Sequence, residues 1–518
     1  MNDNNCLNII VVVLLCIVVG TMTTRAEEVD PIEQEVVAAL PDELPDMTRS
    51  MVHVRVSQIE ADRFMPWRSS VPQRREGFAI VVSPGLFLVP EVLVRNHTAI
   101  EIRRAGSIRR VPAEVVHADE RIGLAMLQAT EPDWFSDALP LPVLRKIPQN
   151  GDFTLFQWGA NDHLQVGIGT LLSIGFESIG DGIPNQLTYE VATSMRIDTT
   201  GTPILHDGKL AGLAMQFRGG RRTVITIAPD NITRFLDASE HVTYTGIPEP
   251  DFYMKRLADP VRRRFLGVPE MYEEQGIYVA ATLPIADAEH GLAVGDVIVA
   301  WDGHSLDARG NYEHAQYGRI PFQHLVAQSI PGDHVPVTIV RDGTVKEVQV
   351  LMRTNDDVHR RIPQNDAGKP DDYVVSAGLI FRELTIDFLK AFGDNWERRA
   401  DIDLTWHAYT HEDDPDDPVQ RTVILVGVLA DPINIGYREL RYRIVTHING
   451  HKILSLADLA ARLDQDGLES VTLSGMEAVP LRFDPEEVET ANQRIQARFQ
   501  IPALSRLTKT TAQQALTE

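Results

Sequence analysis

Cysteine is nearly absent from this chain of 518 residues, which contains only two cysteines. Both of them, Cys6 and Cys16, lie in an apolar run close to the N-terminus. If that run is removed on export, the mature chain can form no disulfide, and it offers no thiolate nucleophile and no cysteine ligand for a metal. Any chemistry must then come from hydroxyl, imidazole, carboxyl or amine groups.

Positive charge is also scarce. The chain has 49 Lys and Arg against 73 Asp and Glu, which gives a net charge of -24 at pH 7. A surface this acidic repels phosphate backbones and anionic lipid headgroups. Nucleic acid is therefore not expected as a partner.

The first five residues contain no Lys or Arg, so the positive segment that usually opens a signal peptide is missing. The rest of that pattern is present, because residues 6–22 are mostly apolar and the small-x-small string Thr24-Arg25-Ala26 follows. We therefore expect residues 1–26 to be a signal peptide and the protein to be exported, either periplasmic or secreted. The alternative is an uncleaved anchor that holds the chain at a membrane.

The pattern of apolar segments changes along the chain. Between residues 51 and 240, short apolar runs separated by Gly, Pro, Asn and Asp are typical of an all-β barrel or sandwich, with a short closing helix at residues 229–238. Two later units each combine strands with one helix and are approximate repeats of each other. The predicted organisation is a signal peptide at 1–26, a linker at 27–50, a β domain at 51–240, a first repeat at 248–353, a linker at 354–371, a second repeat at 372–508 and a tail at 509–518.

The first repeat resembles a PDZ domain. Its string Phe265-Leu266-Gly267-Val268 is similar to the loop whose backbone N–H groups receive the terminal carboxylate of a peptide, and Gly295-Asp296 fits the turn into a following strand. The resemblance implies that an exposed strand edge accepts a peptide as an added strand. Leu325 would then lie on the helix that flanks the groove.

The second repeat resembles the second PDZ domain of plant-type Deg proteases. Ala377-Gly378-Leu379 corresponds to its carboxylate loop, and the strings 428–437 and 448–450 follow in the family's order. The resemblance to the Do-like (HtrA/Deg) protease family extends over about residues 75–508. It implies a mainly β fold, in which a trypsin-like double β-barrel is followed by two α+β PDZ domains.

All three positions that correspond to the family's catalytic triad are substituted. Residues 85–94 match the strand that ends in the catalytic His, and Val92 stands at the His position. The string 119–127 places Gly123 at the position of the Asp. Thr200 takes the place of the nucleophilic Ser, and Asp198 replaces a Gly whose N–H group helps to form the oxyanion hole.

These substitutions remove the chemistry of acyl transfer. Val92 cannot accept a proton from a hydroxyl nucleophile, and Gly123 has no side chain with which to orient a base. Thr200 keeps a hydroxyl but is β-branched, and Asp198 adds negative charge where an oxyanion needs stabilising. The sequence therefore predicts a protein with no intact catalytic residue.

Other polar residues offer no replacement site that the sequence supports. His97 lies in the segment after the His position and is interpreted as a surface histidine, whereas Asp119 is interpreted as a turn residue. Ser194 lacks the glycine-rich surroundings of a nucleophile. The histidines and carboxylates of residues 407–417 follow no metal-ligand spacing and are interpreted as a solvated acidic loop, so no metal or other cofactor is expected.

Three functions are compatible with the resemblance. The first is a catalytically inactive homologue that binds exposed C-termini or unfolded polypeptides through its PDZ domains, as a chaperone, scaffold or regulator in protein quality control. The second is an active serine-type endopeptidase that uses Thr200 in a non-standard site. The third is a purely structural homo-oligomer. In the first case the chain is also expected to form homo-oligomers, or hetero-oligomers with active paralogues. The second PDZ unit could serve either ligand capture or assembly.

Overall fold

A computed structural model describes residues 45–507, apart from gaps at 60–61, 69, 180–182, 198, 221, 241–243, 245, 249, 251, 283–290, 355–359, 365–371, 394 and 412–419. The predicted signal peptide, most of the predicted linker at 27–50, much of the linker at 354–371, the tail at 509–518 and Asp198 therefore lie outside the described residues. Within the described part, no helix combines the length and apolarity needed to span a membrane.

The first six strands close into an antiparallel β-barrel. Its elements are α1 (Met47–Ser50), β1 (Met51–Gln58), β2 (Gln73–Ser83), β3 (Leu86–Pro90), α2 (Glu91–Val94), β4 (His97–Arg104), β5 (Val111–Asp119) and β6 (Leu124–Ala129). The order around the barrel is β1-β2-β3-β6-β5-β4. Alternate side chains of a strand point to opposite faces, so Val52, Val54 and Val56 of β1 all enter the barrel core.

A second six-stranded barrel follows. Its elements are β7 (Asp152–Trp158), β8 (Leu164–Ile179), β9 (Ile183–Thr193), β10 (Pro203–His206), β11 (Lys209–Arg218), β12 (Thr223–Ile227) and the closing helix α3 (Pro229–Ser239). The order around this barrel is β10-β11-β12-β9-β8-β7. The two closed barrels confirm the expected trypsin-like double β-barrel.

The first repeat folds as an α+β unit. Its elements are β13 (Phe252–Arg256), α4 (Pro260–Phe265), β14 (Ile277–Thr282), β15 (Val297–Trp301), β16 (His304–Ser305), β17 (Asn311–His314), β18 (Gly318–Pro321), α5 (Gln323–Gln328), β19 (His334–Arg341) and β20 (Thr344–Leu351). The main sheet has the order β13-β14-β15-β19-β20, with β16 added on β15, while β17 and β18 form a separate hairpin. Tyr317, at the tip of that hairpin, donates a hydrogen bond to Asp230 and accepts one from the Ile147 amide, so the hairpin rests on the second barrel.

The second repeat contains more helix than the sequence predicted. Its elements are β21 (Tyr373–Ser376), β22 (Leu379–Glu383), α6 (Ile386–Lys390), α7 (Trp396–Arg399), α8 (Ile402–His411), β23 (Val423–Val428), β24 (Arg443–Ile448), β25 (His451–Lys452), α9 (Leu456–Asp466), β26 (Ser470–Leu473), β27 (Leu481–Arg482), α10 (Pro485–Phe499) and β28 (Ser505–Arg506). The sheet order is β27-β26-β24-β23-β22-β21-β28, with β25 added on β24. The predicted helix is α9, which Ser455 caps through its side chain.

A loop of the first barrel also packs on the second repeat. Phe64, between β1 and β2, lies in edge-on contact with Phe388, Phe392 and Tyr442, at centroid distances of 5.3–6.0 Å. Trp67 packs on Tyr373 at 5.7 Å. The backbone of this loop accepts hydrogen bonds from Arg382 and Arg506. The N-terminal barrel and the C-terminal repeat are therefore held together by an aromatic cluster.

Candidate functional site

Val92, Gly123 and Thr200, the positions that the resemblance assigns to the catalytic triad, converge where the two barrels meet. Val92 lies on α2 directly after β3, and the backbone amide of the preceding Glu91 donates to the Gly123 carbonyl at 2.9 Å. Thr200 lies in the turn before β10, and its carbonyl accepts from the Phe78 amide at 3.4 Å. The fold thus brings together the positions that the family resemblance assigned separately.

Val92 is a half-buried aliphatic residue, and its only polar contact in the described structure is made by its backbone. Its carbonyl accepts a hydrogen bond of 3.1 Å from the Arg75 guanidinium. The neighbouring Glu91 carboxylate is buried and forms an ion pair of 2.6 Å with Arg95. His97 is exposed at the start of β4, where a ring nitrogen lies 2.8 Å from the Val94 carbonyl oxygen. This corner of the site therefore presents a valine where a proton acceptor would be needed.

Gly123, at the position that the resemblance assigns to the catalytic Asp, has no side chain and a left-handed backbone. Its φ angle is +78°, a left-handed conformation that residues with a Cβ atom rarely adopt. A Cβ atom built on Gly123 would lie 2.5 Å from Ile183 Cδ1, and Ile183 is 1% exposed. Because the side chain of Ile183, in β9, fills this space, a carboxylate side chain has no room at position 123 unless Ile183 moves.

Thr200 retains the hydroxyl, but the described residues include no partner that could activate it. No group among them forms a hydrogen bond with its side-chain oxygen. The following Gly201 has φ +87°, and a Cβ atom there would lie 2.6 Å from the Phe78 carbonyl oxygen. The Gly201 amide donates to the Ala214 carbonyl at 3.1 Å. The turn is thus held by backbone contacts. Among the described residues, no base accepts a hydrogen bond from the Thr200 hydroxyl.

Asp119 has a structural role in the loop that carries Gly123. One carboxylate oxygen accepts hydrogen bonds from the amides of Arg121 and Ile122, and the other accepts from the Tyr244 hydroxyl at 2.6 Å. Burial and the Asp119 carboxylate raise the pKa of Tyr244 above its usual range. Asp119, the last residue of β5, therefore holds the turn that follows it and ties this turn to the segment that leads into the first repeat.

A cavity of about 720 Å³ lies between the first repeat and the second barrel. The edge strand β13, the helix α5 and the strand β9 all contribute to its walls. Residues just before β13, Ile247, Pro248 and Pro250, line it as well.

The predicted loop Phe265–Val268 does not line this cavity. It ends α4, and Gly267 has φ +67°, as is common for glycine directly after a helix. A Cβ atom on Gly267 would lie 2.7 Å from Gly343 Cα, while Leu266 and Val268 pack on a small core that includes Leu257. Phe265 is 86% exposed.

Leu325 lies on α5, as predicted, but it packs partly buried against the core of the first repeat. Its neighbours Gln323, His324 and Ala327 provide the helix wall of the cavity. The structure therefore brings together the edge strand and the predicted helix, but not the predicted carboxylate loop.

The loop Ala377-Gly378-Leu379 is a buried turn between β21 and β22. The Ala377 amide donates to the Asn492 side chain at 2.7 Å, and the Asn434 side chain donates to the Ala377 carbonyl at 2.8 Å. The Gly378 carbonyl accepts from the Leu429 amide at 2.7 Å. These backbone groups are already bonded within the chain. The cavity beside β13, which the sequence did not predict, is therefore the better candidate for a ligand site.

Comparison with known proteins finds one matching domain model and several related sequences. A PDZ domain model matches residues 362–505. The chain is 26% identical to the chloroplastic protease Do-like 2 of Arabidopsis thaliana, over 80% of this chain and 68% of that protein. It is 22% identical to the putative mitochondrial protease Do-like 3 of the same plant, over 88% of this chain and 79% of that protein.

Solved structures with a similar fold include the HtrA-type protease AlgW with a decapeptide, at 16% identity and a TM-score of 0.45, over 60% of this chain and 96% of that one. A serine endoprotease from Yersinia pestis has 18% identity and a TM-score of 0.40, over 60% of this chain and 97% of that one. The sequence relatives and the matched PDZ domain identify this chain as a homologue of the Do-like (HtrA/Deg) proteases of the plant type.

Proposed function

We propose that this protein is a catalytically inactive Do-like protease homologue that binds exposed C-termini or unfolded polypeptides outside the cytoplasm. In this role it would act as a chaperone, scaffold or regulator in protein quality control. The observation that carries the proposal is the left-handed Gly123 packed against Ile183, which leaves no space for a triad carboxylate. Val92 supports it, because an aliphatic side chain cannot act as a base.

Peptide binding is supported by the cavity beside β13. This strand is the last in its sheet order and pairs only with β14 among the described strands. An open edge next to a helix provides the backbone groups and side-chain pockets that a peptide needs to bind as an added strand. The double barrel would then serve as a scaffold for the PDZ units.

The test is a paired assay of cleavage and holding. The purified protein is incubated with casein and followed by gel, beside an active Do-like protease, and separately with reduced insulin, whose aggregation is followed by light scattering. We expect no casein cleavage and a reduced rate of insulin aggregation. Thr200→Ala should leave both results unchanged, as should the matched control Thr199→Ala on the same turn.

Cleavage that is lost in Thr200→Ala and kept in Thr199→Ala would overturn the proposal and make Thr200 a nucleophile. If the protein neither cleaves casein nor slows insulin aggregation, the binding role fails, and a purely structural homo-oligomer would explain the protein better.

A further inference from the structure

The unpaired edge of β13 can accept one more strand. Its partner β14 covers one edge over Phe252–Arg256, and no other described strand pairs with it. At roughly 3.3 Å per residue, this edge offers about 16 Å of backbone to an extended ligand. Phe252, Tyr253, Met254 and Arg256 of this strand line the cavity.

Two further elements wall the cavity on either side of that edge. Gln323, His324 and Ala327 belong to α5, and residues 185–187 belong to β9 of the second barrel. Two polar atoms of this helix wall, Gln323 Oε1 and His324 Nε2, are buried without a hydrogen-bond partner among the described residues. Such orphaned atoms are expected on a surface that acquires partners when a ligand binds.

The described part of the lining carries charge of the opposite sign to that of the whole chain. Among the described lining residues there are four arginines and no aspartate or glutamate, whereas the whole chain has 73 acidic and 49 basic side chains. The four are Arg121, Arg256, Arg309 and Arg360. Glu249 and Asp251, next to lining residues in the sequence, lie outside the described residues. Guanidinium groups stay charged at any physiological pH and bind carboxylates with planar pairs of hydrogen bonds.

The histidine of the lining does not add to this charge at neutral pH. Burial lowers the pKa of His324 to about 4, and its Nδ1 atom is within 2.7 Å of the Tyr312 hydroxyl. Among the described lining residues, the positive charge at neutral pH therefore comes from arginines of the first barrel, the first repeat and the segment that follows it.

We propose that the groove formed by this cavity and the open edge of β13 selects extended peptides that are rich in Asp and Glu. The inference rests on the peptide binding of the proposed function and adds the chemical class of the ligand. The peptide would pair with the edge of β13, place apolar side chains against Phe252 and Met254, and place carboxylates near the exposed Arg256 and Arg309. Because Arg121 lies two residues before Gly123, the ligand would also contact the loop in which the triad carboxylate has been lost.

The test uses two fluorescein-labelled peptides of ten residues and the purified protein. Both peptides carry the same apolar residues at alternate positions, and the remaining positions are Glu in one and Lys in the other. Fluorescence polarisation measures Kd, and hydrogen exchange measures the protection of residues 252–256 on binding. The groove variant is Arg256→Gln/Arg309→Gln, in which both positions are exposed. The control variant is Lys209→Gln/Arg438→Gln, which removes the same charge from exposed positions that do not line the cavity.

We expect the Glu peptide to bind and to protect residues 252–256. Its affinity should fall about tenfold or more in the groove variant, and it should be little changed in the control variant. Equal binding of the Glu and Lys peptides, or equal affinities in the two variants, would overturn the charge selection and leave peptide binding intact. If neither peptide binds, the proposed peptide-binding function and the charge selection both fail.

Discussion

Replacement of Gly123 by alanine tests whether the space for a triad side chain is truly closed. A residue with a Cβ atom in the left-handed conformation costs roughly 1–2 kcal/mol, and overpacking of a core adds roughly 1–3 kcal/mol. The Cβ atom of alanine would meet Ile183 Cδ1 at 2.5 Å and Cγ1 at 3.4 Å. We therefore expect Gly123→Ala to lower the free energy of unfolding by about 3 kcal/mol.

Two further variants separate the two contributions. Gly208→Ala is a matched control, because Gly208 has φ +71° and no atom within 4 Å of the place that a Cβ atom would take, so that only the backbone cost of about 1–2 kcal/mol applies. Ile183→Val removes the clashing Cδ1 atom and costs about 1 kcal/mol by itself. In the double variant Gly123→Ala/Ile183→Val, the combined loss should be smaller than the sum of the single losses by about 1 kcal/mol or more.

The measurement is urea unfolding of each variant, followed by circular dichroism. The reasoning is refuted if Gly123→Ala is no more destabilising than Gly208→Ala, or if the losses at positions 123 and 183 simply add. In either case the barrel could accept a side chain at position 123, and the main support for catalytic inactivity would be removed.

Two other predictions concern the packing between units. Burial raises the pKa of Asp230 to about 6, so the stability it contributes is fully present below its unfolded pKa near 4 and is lost as the pH rises through 6. Relative to Asp230→Asn, which keeps an acceptor for Tyr317, the wild type should lose about 2 kcal/mol between pH 4 and pH 7 in urea unfolding, and parallel pH profiles would contradict this. Phe64→Ala should lower the free energy of unfolding by about 2 kcal/mol through loss of its aromatic contacts, whereas the exposed Phe265→Ala should change it by less than about 0.5 kcal/mol. Equal effects of the two substitutions would show that the loop does not stabilise the second repeat.

The fold could be predicted to a large extent because the sequence patterns that indicate it each lie within a short segment of the chain. Alternating apolar positions such as Val52, Val54 and Val56 indicate barrel strands, and the family strings of the two repeats indicate PDZ units. Val92 and Thr200 could be assigned in the same way, since each lies inside a matched string. The lack of space for a side chain at Gly123 could not be predicted, because it depends on Ile183, a residue of the second barrel.

The predicted peptide site shows how a local signal can be ambiguous. A glycine such as Gly267 is expected both in a carboxylate-binding loop and directly after a helix, where its positive φ lets the chain turn away. In this protein it follows α4 and packs on Gly343, far along the sequence. The cluster of arginines in the cavity lining could not be predicted from the sequence either, because its four members come from four separate segments of the chain.

The contact between the N-terminal barrel and the second repeat also constrains the order in which the protein can mature. Arg506 donates a hydrogen bond to the carbonyl of Pro66, a residue made 440 positions earlier. During synthesis at the ribosome, β1 and β2 on either side of this loop can pair early. At that stage the aromatic residues that contact Phe64 and Trp67 have not been synthesised. The side chains of Phe64 and Trp67 therefore stay exposed to solvent until the last repeat has been synthesised. A chain that terminates prematurely would keep them exposed, and they would mark it as incomplete for the chaperones and proteases that recognise apolar surface.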